Sequence, residues 1–444
     1  MVVGLGDPEV PVALVHAPLT IAPVPFPREA FQRAKDAATV FNTLIDCVAA
    51  DDEYLRRTLA LAARYDDFTA RLLGVFAATQ EVREARRAQE LVLAINRSDY
   101  MLDEPSGRLL QVEVNTIASS FGCLSTLVSQ LHAYLMERAG RPAAELARLP
   151  PHDARTEIAD AIAAAAKEHG TDSDAVLMVV QPGERNAYDQ YWVATVLWER
   201  HRVRTLRRTL AEVAEGARLG DGGALAVGGA RIAVVYFRAG YSPNDYPTEA
   251  EWRARELLER SDAALCPSIA YQLAGAKKVQ QDLAVPGVVE RFLPSAAEAD
   301  AVRACFAGLW GLDDSEAPEV REVLARAEAS PDDFVLKPQR EGGGNNLYGE
   351  ELAAQLRKRE GLAAYILMQR IRPPANTAAM LRKGQLEQVE TVSEVGVFGT
   401  LVRRGERVLL NREAGHLVRT KAITSNEGGV AAGFAVLDSP FLVD

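Results

Sequence analysis

The sequence predicts a mixed α/β (α+β) protein in which a helical layer comes first, a small α/β unit follows and antiparallel strands come last. Apolar residues recur every three or four positions in the first hundred residues, which is the spacing of one helix face. Between about 175 and 275, apolar runs alternate with helical segments, an order typical of a mostly parallel sheet. Hairpin-like strands of an antiparallel portion follow at 333–338, 364–371, 388–402 and 416–423.

Length, composition and charge limit the class of protein. At 444 residues the chain exceeds what one core usually supports, so about two or three domains are expected. Hydrophobic residues make up 48% and charged residues 25%, which excludes wholesale disorder. The net charge of −11 argues against a general nucleic-acid surface, although a local basic site for phosphate is compatible with it.

Neither targeting nor cysteine patterns indicate secretion. No apolar run approaches the ~20 residues of a spanning helix, and the N-terminus lacks a basic segment followed by an apolar core. We therefore expect a cytoplasmic protein with no membrane partner. The cysteines, which include no CxxC pair and are expected to be buried free thiols, are Cys47, Cys123, Cys266 and Cys305.

The N-terminal half begins with a packed helical layer. Its apolar stripe consists of Ala34, Ala37, Phe41, Leu44, Ile45 and Val48. Runs at 91–95 and 109–115 then predict a β-hairpin, because the segment 103–107 between them contains Pro and Gly. An Ala-rich helical segment follows from about 140 to 172.

A second domain is expected to begin near residue 175. There the Ala-rich helical pattern is replaced by an apolar strand pattern that ends in Gln-Pro-Gly. The elements expected in this unit are a strand at 175–180, a helix at 186–200, a Gly-rich turn at 220–230 and a buried strand at 232–237.

The segment Phe334–Asn346 is the most informative stretch for chemistry. A buried strand delivers Lys337 at its end, and three consecutive glycines, 342–344, follow. Bare backbone amides in such a loop can approach phosphate oxygens closely, so the segment predicts a phosphate-binding loop. It is neither a Walker A loop nor a dinucleotide fingerprint, because G-x-x-x-x-G-K-[ST] and G-x-G-x-x-G are both absent from the sequence.

The strand Gln111–Asn115 predicts a Mg²⁺ site. Alternation places Glu113 and Asn115 on one face of the strand, where two oxygen donors suit a hard cation. Glu341 of the glycine loop would complete the site. Taken alone, such a strand is more often a solvated face, but the small polar loop 116–122 that follows suits an anionic substrate.

Several cations could serve an anion site, although each alone is commonplace at a strand end. The candidates are Arg97, Arg238, Lys277, Arg419 and Lys421. His416 lies near the last two on a strand, and a lone histidine of this kind is more often structural.

Seven motifs together resemble the eukaryotic-type glutathione synthetases of the ATP-grasp superfamily, in the order of that family and over essentially the whole chain. The segments are Asn96–Met101, Glu113–Thr116, Glu184–Asn186 with Gln190, Tyr236–Tyr241, Leu273–Gln281, Leu336–Glu350 and Leu417–Ile423.

The resemblance implies an ATP-grasp body with lid at 1–173 and 276–444, a substrate-binding domain at 174–275 and a homodimer. It implies that Glu113, Asn115 and Glu341 hold Mg²⁺, with two ions expected, and that Arg97, Lys337 and Arg419 act on the reacting groups. The implied ATP contacts are Glu113, Lys277, Lys337, Glu341, Gly342, Gly343, Gly344, Asn345, Asn346, Tyr348, Met368, Gln369, Arg370, Ile371, Glu394, Lys421 and Glu427. The implied contacts to γ-glutamylcysteine and glycine are Arg97, Ser119, Ser120, Glu184, Asn186, Gln190, Arg238, Tyr241, Arg419, Val430 and Ala431.

Three departures from the family pattern concern binding strength and leave the reaction type unchanged. Ala118 stands where a serine is usual, which removes one hydrogen bond worth about 0.5–1.5 kcal/mol. Gln369-Arg370 replaces Glu-Lys, and Glu427 replaces an aspartate.

The implied reaction activates the cysteinyl carboxylate as an acyl phosphate, which the amine of glycine then attacks. Water must be excluded, which gives mobile Gly-rich segments at 342–344 and 428–433 a role as a lid. Two alternatives stay open from the sequence: a related ligase that takes β-alanine or a polyamine, and a nucleotide-binding protein without turnover.

Overall fold

A computed structural model describes residues 2–3, 14–170, 175–338, 346–426, 428–431 and 433–444. The helices in these residues are α1 Arg28–Ala50, α2 Asp52–Leu59, α3 Asp67–Ala78, α4 Gln80–Arg86, α5 Gly122–Arg138, α6 Ala143–Leu146, α7 Ala154–His169, α8 Ala187–His201, α9 Leu210–Gly216, α10 Glu249–Glu259, α11 Ile269–Ala274, α12 Lys277–Leu283, α13 Val289–Phe292, α14 Ala296–Cys305, α15 Pro318–Ala329 and α16 Gly349–Lys358.

The strands in the same residues form three larger sheets and two short pairs. They are β1 Val2–Val3, β2 Leu14–Val15, β3 Leu19–Thr20, β4 Val24–Pro27, β5 Leu91–Asp103, β6 Arg108–Asn115, β7 Ala175–Val179, β8 Arg204–Arg208, β9 Ala217–Leu219, β10 Leu225–Val227, β11 Ala230–Phe237, β12 Ala264–Cys266, β13 Leu309–Gly311, β14 Phe334–Pro338, β15 Tyr365–Gln369, β16 Asn376–Arg382, β17 Gln385–Arg404, β18 Arg407–Ala422, β19 Ala435–Asp438 and β20 Pro440–Val443.

A seven-stranded sheet forms the centre of the molecule, in the order β16-β3-β19-β18-β17-β5-β6. Its two faces carry different layers, because side chains alternate along each strand. Val92 and Ala94 of β5 pack with the apolar residues of α1, whereas Leu93 and Ile95 pack with α5 and α7. Helices therefore cover both faces of one half of the sheet.

The other half of the α5/α7 face is left for polar side chains. Continuing the alternation of Leu93 and Ile95 along β5 brings Arg97 and Asp99 to this face. On β17, Phe398 packs with the α5/α7 layer, and Glu394 lies on the same face two pleats away. The face that is apolar under the helices thus becomes charged beyond them.

A six-stranded sheet lies between residues 175 and 266. Strands β8, β7, β11 and β12 are parallel, and β10 and β9 extend the sheet with antiparallel pairing. This agrees with the predicted small α/β unit with a mostly parallel sheet. A third sheet, β13-β15-β14, is antiparallel and packs on α15 and α16 through a small leucine-rich core.

The hairpin predicted at 91–115 is present, and β5 is longer than its apolar run. Arg97 pairs with Asn115 and Asp99 with Glu113 across β5 and β6. The polar residues 96–99 continue the strand because their neighbours on both sides, β6 and β17, satisfy the backbone.

One expectation about the N-terminal half was wrong in detail. The first hundred residues are not helical throughout, because a proline-rich stretch that ends at Pro27 is extended and forms short strands before α1. The Ala-rich segment that was predicted as helical from about 140 to 172 contains the two helices α6 and α7, which Pro150 and Pro151 separate.

All four cysteines are free thiols, as expected. Cys123, Cys266 and Cys305 are buried and Cys47 is half-buried. Burial raises the pKa of the Cys266 thiol to about 12, so this group stays protonated at neutral pH. None of the helices in the described ranges combines the length and the apolarity that a bilayer crossing requires.

His416 belongs to a buried aromatic stack behind the sheet. Its ring lies 4.1 Å from the ring of His152 and 5.1 Å from that of Phe31, measured between centroids. Burial lowers the pKa of His152 to about 3, with Asp153 opposing and Lys35 adding to this shift. Burial, His152 and Lys35 also lower the pKa of His416 well below its usual range. Both rings are therefore neutral in the folded protein, which supports the structural interpretation of His416.

We predict that this stack makes the protein sensitive to acid. Because the folded-state pKa values are depressed, the unfolded chain binds protons first, so stability is complete above the unfolded pKa of about 6.5 and falls as the pH decreases from there. For each histidine, the free energy of unfolding should decrease by up to about 1.4 kcal/mol per pH unit until the pH reaches the folded-state pKa. Urea unfolding between pH 4 and 8 measures this slope. In the variant His152→Gln, the slope of the unfolding free energy against pH should be shallower by the amount that corresponds to about one proton. An equal slope in the variant would contradict the neutral state of His152 in the folded protein.

Candidate active site

A cleft of about 1070 Å³ lies over the open half of the seven-stranded sheet. Its lining comes from strands of the seven-stranded and three-stranded sheets and from the loops that follow β6, β7, β11 and β18. It brings together these predicted site residues: Arg97, Glu113, Asn115, Ser120, Glu184, Asn186, Gln190, Arg238, Tyr241, Lys277, Lys337, Asn346, Tyr348, Met368, Gln369, Arg370, Ile371, Glu394, Arg419, Lys421, Val430 and Ala431.

Some predicted residues do not belong to this set. Ser119 is buried and is not among the described residues that line the cleft; its hydroxyl donates to the carbonyl of Asn115 at 3.1 Å. Glu341, Gly342, Gly343, Gly344, Asn345 and Glu427 lie outside the described residues. The roles given to all these residues stay predictions.

Charged side chains from neighbouring strands form the floor of the cleft. The Nε and Nη2 atoms of Arg97 donate to the two carboxylate oxygens of Asp99 at 2.6 and 2.9 Å. Arg419 pairs with Asp99 at 2.9 Å and forms a second ion pair with Glu394 on the opposite strand. Asn115 also donates to Asp99, at 2.9 Å. One network of hydrogen bonds and ion pairs therefore spans β6, β5, β17 and β18.

Glu113 is the ionised oxygen donor of this floor. Burial alone would raise its pKa, but Lys277, Lys337, Arg419 and Arg97 together outweigh burial and lower the pKa of Glu113. The carboxylate is therefore charged at neutral pH and suited to a hard cation.

Glu394 behaves in the opposite way. Burial raises its pKa, and the nearby charges of Asp99 and Glu113 add to this effect, although Arg419 opposes it. For Arg419 itself, burial opposes the charge, while Glu394, Asp99 and Glu113 outweigh it and raise the guanidinium pKa. Arg419 is therefore a permanent cation at the floor.

Two lysines stand beside Glu113. Lys277 begins α12, and Lys337 lies in the last residues of β14. Both side chains are buried, and the Nζ of Lys337 donates to the carbonyl of Val112 at 3.1 Å. Buried ammonium groups beside a carboxylate form a cationic wall for an anionic ligand.

Asp189 joins the loop 116–121 to the six-stranded sheet unit. Its carboxylate accepts from the backbone N–H groups of Phe121, Cys123 and Leu124 at 2.9, 3.0 and 3.2 Å, at the beginning of α5. It also accepts from Nη2 of Arg238 at 3.2 Å. Asp189 thus fixes the loop and the predicted carboxylate-binding arginine in one arrangement.

The wall beside Arg238 is a polar network. Glu184 accepts from the side chain of Gln190 at 2.6 Å and from the backbone N–H of Asn186 at 2.7 Å. From the same loop, Gln181 donates to the hydroxyl of Tyr241 on the neighbouring loop at 3.0 Å. Such convergent donors and acceptors suit the amino and carboxylate groups of an amino-acid headgroup.

Ala118 occupies the left-handed region in the loop 116–121, with φ of 51°. Phe121, which precedes α5, has φ of 71°. These two residues turn the chain so that the carbonyl of Ser120 accepts from Nη1 of Arg97 at 3.2 Å. The loop therefore packs on the arginine through its backbone, and the missing serine at 118 does not interrupt this contact.

The opposite end of the cleft has the features of a nucleotide site. Met368 and Ile371 form an apolar patch with Val335. The side-chain oxygen of Gln369 accepts from the N–H of Gly308 at 3.1 Å, and the guanidinium of Arg370 lies 5.5 Å from the centre of the Tyr348 ring. An apolar slot with polar groups at its edge suits a purine.

The metal site is described only in part. Glu113 and Asn115 supply two oxygen donors that fit Mg²⁺, since Mg²⁺ is usually held by one or two carboxylates together with phosphates. Within the part of the chain that the structure describes, no group of three His, Cys, Asp or Glu side chains forms a metal cage.

The sequence interpretation missed Asp99 and Asp189. Asp99 carried a weak signal, because it lies two residues from Arg97 and therefore on the same face of the strand. Asp189 carried no local signal, since its partners are 49 to 68 residues away in the sequence.

Comparison with known proteins gives consistent results. The family model "Eukaryotic glutathione synthase, ATP binding domain" matches residues 2–442. The chloroplastic glutathione synthetase of Solanum lycopersicum is 47% identical over 438 residues, which cover 97% of this chain and 79% of the relative. The glutathione synthetase of Homo sapiens is 42% identical over 436 residues, which cover 96% and 90%.

A solved structure shares the fold. The glutathione synthetase-like effector of Globodera pallida, in its apo form, superposes with a TM-score of 0.75 and covers 96% of this chain and 90% of its own. Its sequence identity is 22%, so the likeness concerns the fold alone.

We predict that Asp189→Ala destabilises the fold by about 3–5 kcal/mol, because it leaves the buried Arg238 charge and the first N–H groups of α5 without their acceptor. Denaturant unfolding measures the change. Asp160→Ala is the matched control, since Asp160 pairs with Arg200 and His201 at the surface and should cost about 0–1 kcal/mol. Equal losses in the two variants would contradict the structural role of Asp189.

Proposed function

The chain belongs to the eukaryotic glutathione synthetase family, and we propose that ATP, γ-glutamylcysteine and glycine meet in the single cleft over its central sheet. The activity is that of a glutathione synthetase, an ATP-dependent ligase that joins glycine to γ-glutamylcysteine and releases ADP and phosphate. The observation that carries the proposal is that one continuous cleft contains the cationic floor, the polar wall and the purine slot.

The chemistry must make a carboxylate into an acyl donor. The cysteinyl carboxylate oxygen attacks the γ-phosphorus of ATP, ADP leaves, and the resulting acyl phosphate is attacked by the glycine amine with loss of phosphate. We assign the positioning of the phosphate and carboxylate oxygens to Arg97, Lys277 and Lys337. No covalent enzyme nucleophile is needed, and the thiols of the chain have no part in this scheme.

We propose that Glu113, Asn115 and Glu341 hold Mg²⁺. When bound, Mg²⁺ neutralises the negative charge on the phosphates that develops during transfer. The lowered pKa of Glu113 supports this proposal, because the group keeps its charge in the absence of other ligands. Two ions are expected from the family pattern.

We assign the end of the cleft beside the six-stranded sheet to the γ-glutamyl headgroup. Arg238 offers a guanidinium to the α-carboxylate, and Glu184 offers a carboxylate to the α-amino group. The remaining headgroup contacts in this assignment are Asn186, Gln190 and Tyr241, with Ser119 and Ser120 in the loop toward the cysteinyl part.

We assign the opposite end to ATP. Tyr348, Met368 and Ile371 contribute the apolar walls of the purine slot. The further contacts in this assignment are Glu341, Gly342, Gly343, Gly344, Asn345, Asn346, Gln369, Arg370, Glu394, Lys421 and Glu427.

The glycine acceptor is assigned to Arg419, Val430 and Ala431. Both ion pairs of Arg419, with Asp99 and with Glu394, use its Nη2 atom. The other nitrogens of the guanidinium can therefore face the carboxylate of glycine.

The larger organisation follows the family pattern as a proposal. We propose an ATP-grasp body with lid at 1–173 and 276–444, a substrate-binding domain at 174–275 and a homodimeric assembly. A cytoplasmic location stays a prediction, since two of the relatives are chloroplastic. Analytical ultracentrifugation would test the assembly, because a monomer at micromolar concentration contradicts the dimer.

The decisive test of the activity is substrate-dependent phosphate release. We predict that rapid release requires ATP, Mg²⁺, γ-glutamylcysteine and glycine together, because the acyl phosphate is protected until the amine attacks. Release should be measured with each component omitted in turn, and glutathione should be identified by mass spectrometry. Equal ATP turnover without glycine would contradict coupled ligation and favour a nucleotide-binding protein of another function.

We predict a preference for glycine over β-alanine of roughly 10- to 200-fold in kcat/KM, because one added methylene moves the amine away from the acyl phosphate when Arg419 anchors the carboxylate. Competition kinetics with both amines measure this ratio. Ala431→Leu should change it, whereas Ala329→Leu, at the exposed end of α15, should not. An unchanged ratio in Ala431→Leu would remove residue 431 from the acceptor site and leave acceptor choice open.

A further inference from the structure

Asp99 lies beneath the floor of the cleft and contacts three of the side chains that line it. It is fully buried and is not itself among the described residues that line the cleft. Its two carboxylate oxygens accept bonds from Arg97, Asn115 and Arg419 at distances between 2.6 and 2.9 Å. These three side chains belong to three different strands, β5, β6 and β18.

The contact with Arg97 fixes a guanidinium plane. Because Nε and Nη2 both bond to Asp99, the fork is bidentate and its orientation is set from below. Nη1 is held by the carbonyl of Ser120 at 3.2 Å, at the edge of the substrate loop. The arginine is thus oriented before substrate arrives, which reduces the entropy lost on binding.

The contact with Asn115 fixes the direction of an amide. A buried carboxylate with bonded arginines accepts and does not donate, so the amide nitrogen of Asn115 must face Asp99. The amide oxygen therefore points away from Asp99, and it is the end that a hard cation requires.

The neighbouring strand β17 has a glycine, Gly396, where it faces this arrangement. Gly396 pairs with Asp99 across β17 and β5. A Cβ atom at residue 396 would lie 2.5 Å from Oδ1 of Asp99 and 2.8 Å from Cδ of Arg97. The glycine is therefore explained by the space that the carboxylate and guanidinium occupy.

We propose that Asp99 is a positioning residue for the ligase reaction, which orients Arg97 and Arg419 and turns the amide oxygen of Asn115 toward the metal. It acts through these three side chains and touches no substrate. The proposal rests on the proposed function, since it assigns one common support to the donor, acceptor and metal contacts.

The test compares Asp99→Asn with a variant of the half-buried ion pair between Asp46 and Arg403. Asp99→Asn keeps the volume and removes the acceptor charge, so KM for γ-glutamylcysteine and for glycine should both rise, with a loss in kcat/KM of about 10- to 100-fold. Calorimetric titration of ADP at several Mg²⁺ concentrations should show that more Mg²⁺ is needed for the same affinity. This second readout does not depend on turnover.

Asp46→Asn is the control for a purely structural effect. Asp46 pairs with Arg403 and accepts from Tyr271, outside the described lining of the cleft. The variant Asp46→Asn should have a lower melting temperature, with both KM values and the Mg²⁺ dependence of ADP binding unchanged. If Asp99→Asn behaves like Asp46→Asn, the positioning role is wrong.

A second variant keeps the proposal testable if Asp99→Asn does not fold. Gly396→Ala displaces the carboxylate from the opposite strand and should give the same rise in both KM values and in the Mg²⁺ requirement. A folded Gly396→Ala enzyme with unaltered kinetics and ADP binding would overturn the proposal. A wild-type protein that binds ADP with Mg²⁺ but forms no glutathione would instead overturn the proposed function.

Discussion

The register between β5 and its two neighbours is the constraint on which the cleft depends. It places Asp99 opposite Glu113 on one side and opposite Gly396 on the other. A shift by one residue would turn Arg97 and Asp99 toward the α1 side of the sheet and bring the uncharged Asn96 and Ser98 to the cleft instead. The apolar half of the same strand prevents such a shift, because Leu93 and Ile95 are already packed under α5 and α7. Core packing at one end of the sheet thus determines the chemistry at the other.

The sequence was sufficient for features that are local. Alternation along 109–115 predicted the strand and the two oxygen donors on its face, and the motifs identified the family. It was insufficient where partners are far apart in the chain, since Arg419 reaches Asp99 across 320 residues. It also overextended helices in the N-terminal half, where prolines favour extended backbone over the apolar period. The apolar period of α1 could be seen in the sequence. The strands β3 and β4, which precede this helix, form because they pair with β16, β19 and β20.

Charge is distributed unevenly in this acidic chain. Its formal charge is −11, yet buried cations concentrate at the floor and wall of one cleft. Each cation is close to a carboxylate of the protein, which keeps it charged in a buried place and holds its direction. The same carboxylates weaken the attraction of the cleft for anions, which favours the release of products that carry several negative charges.

The contacts of Asp189 have a consequence for dividing the molecule. This residue belongs to α8, in the segment of the six-stranded sheet, yet it caps the beginning of α5, which packs on the central sheet. A fragment that lacked residues 175–266 would expose the first amides of α5 without an acceptor and release the adjoining loop. The two sheet units are therefore separate in topology but not in folding, and splitting or transplanting them at the loops between them would remove the helix cap together with the substrate loop.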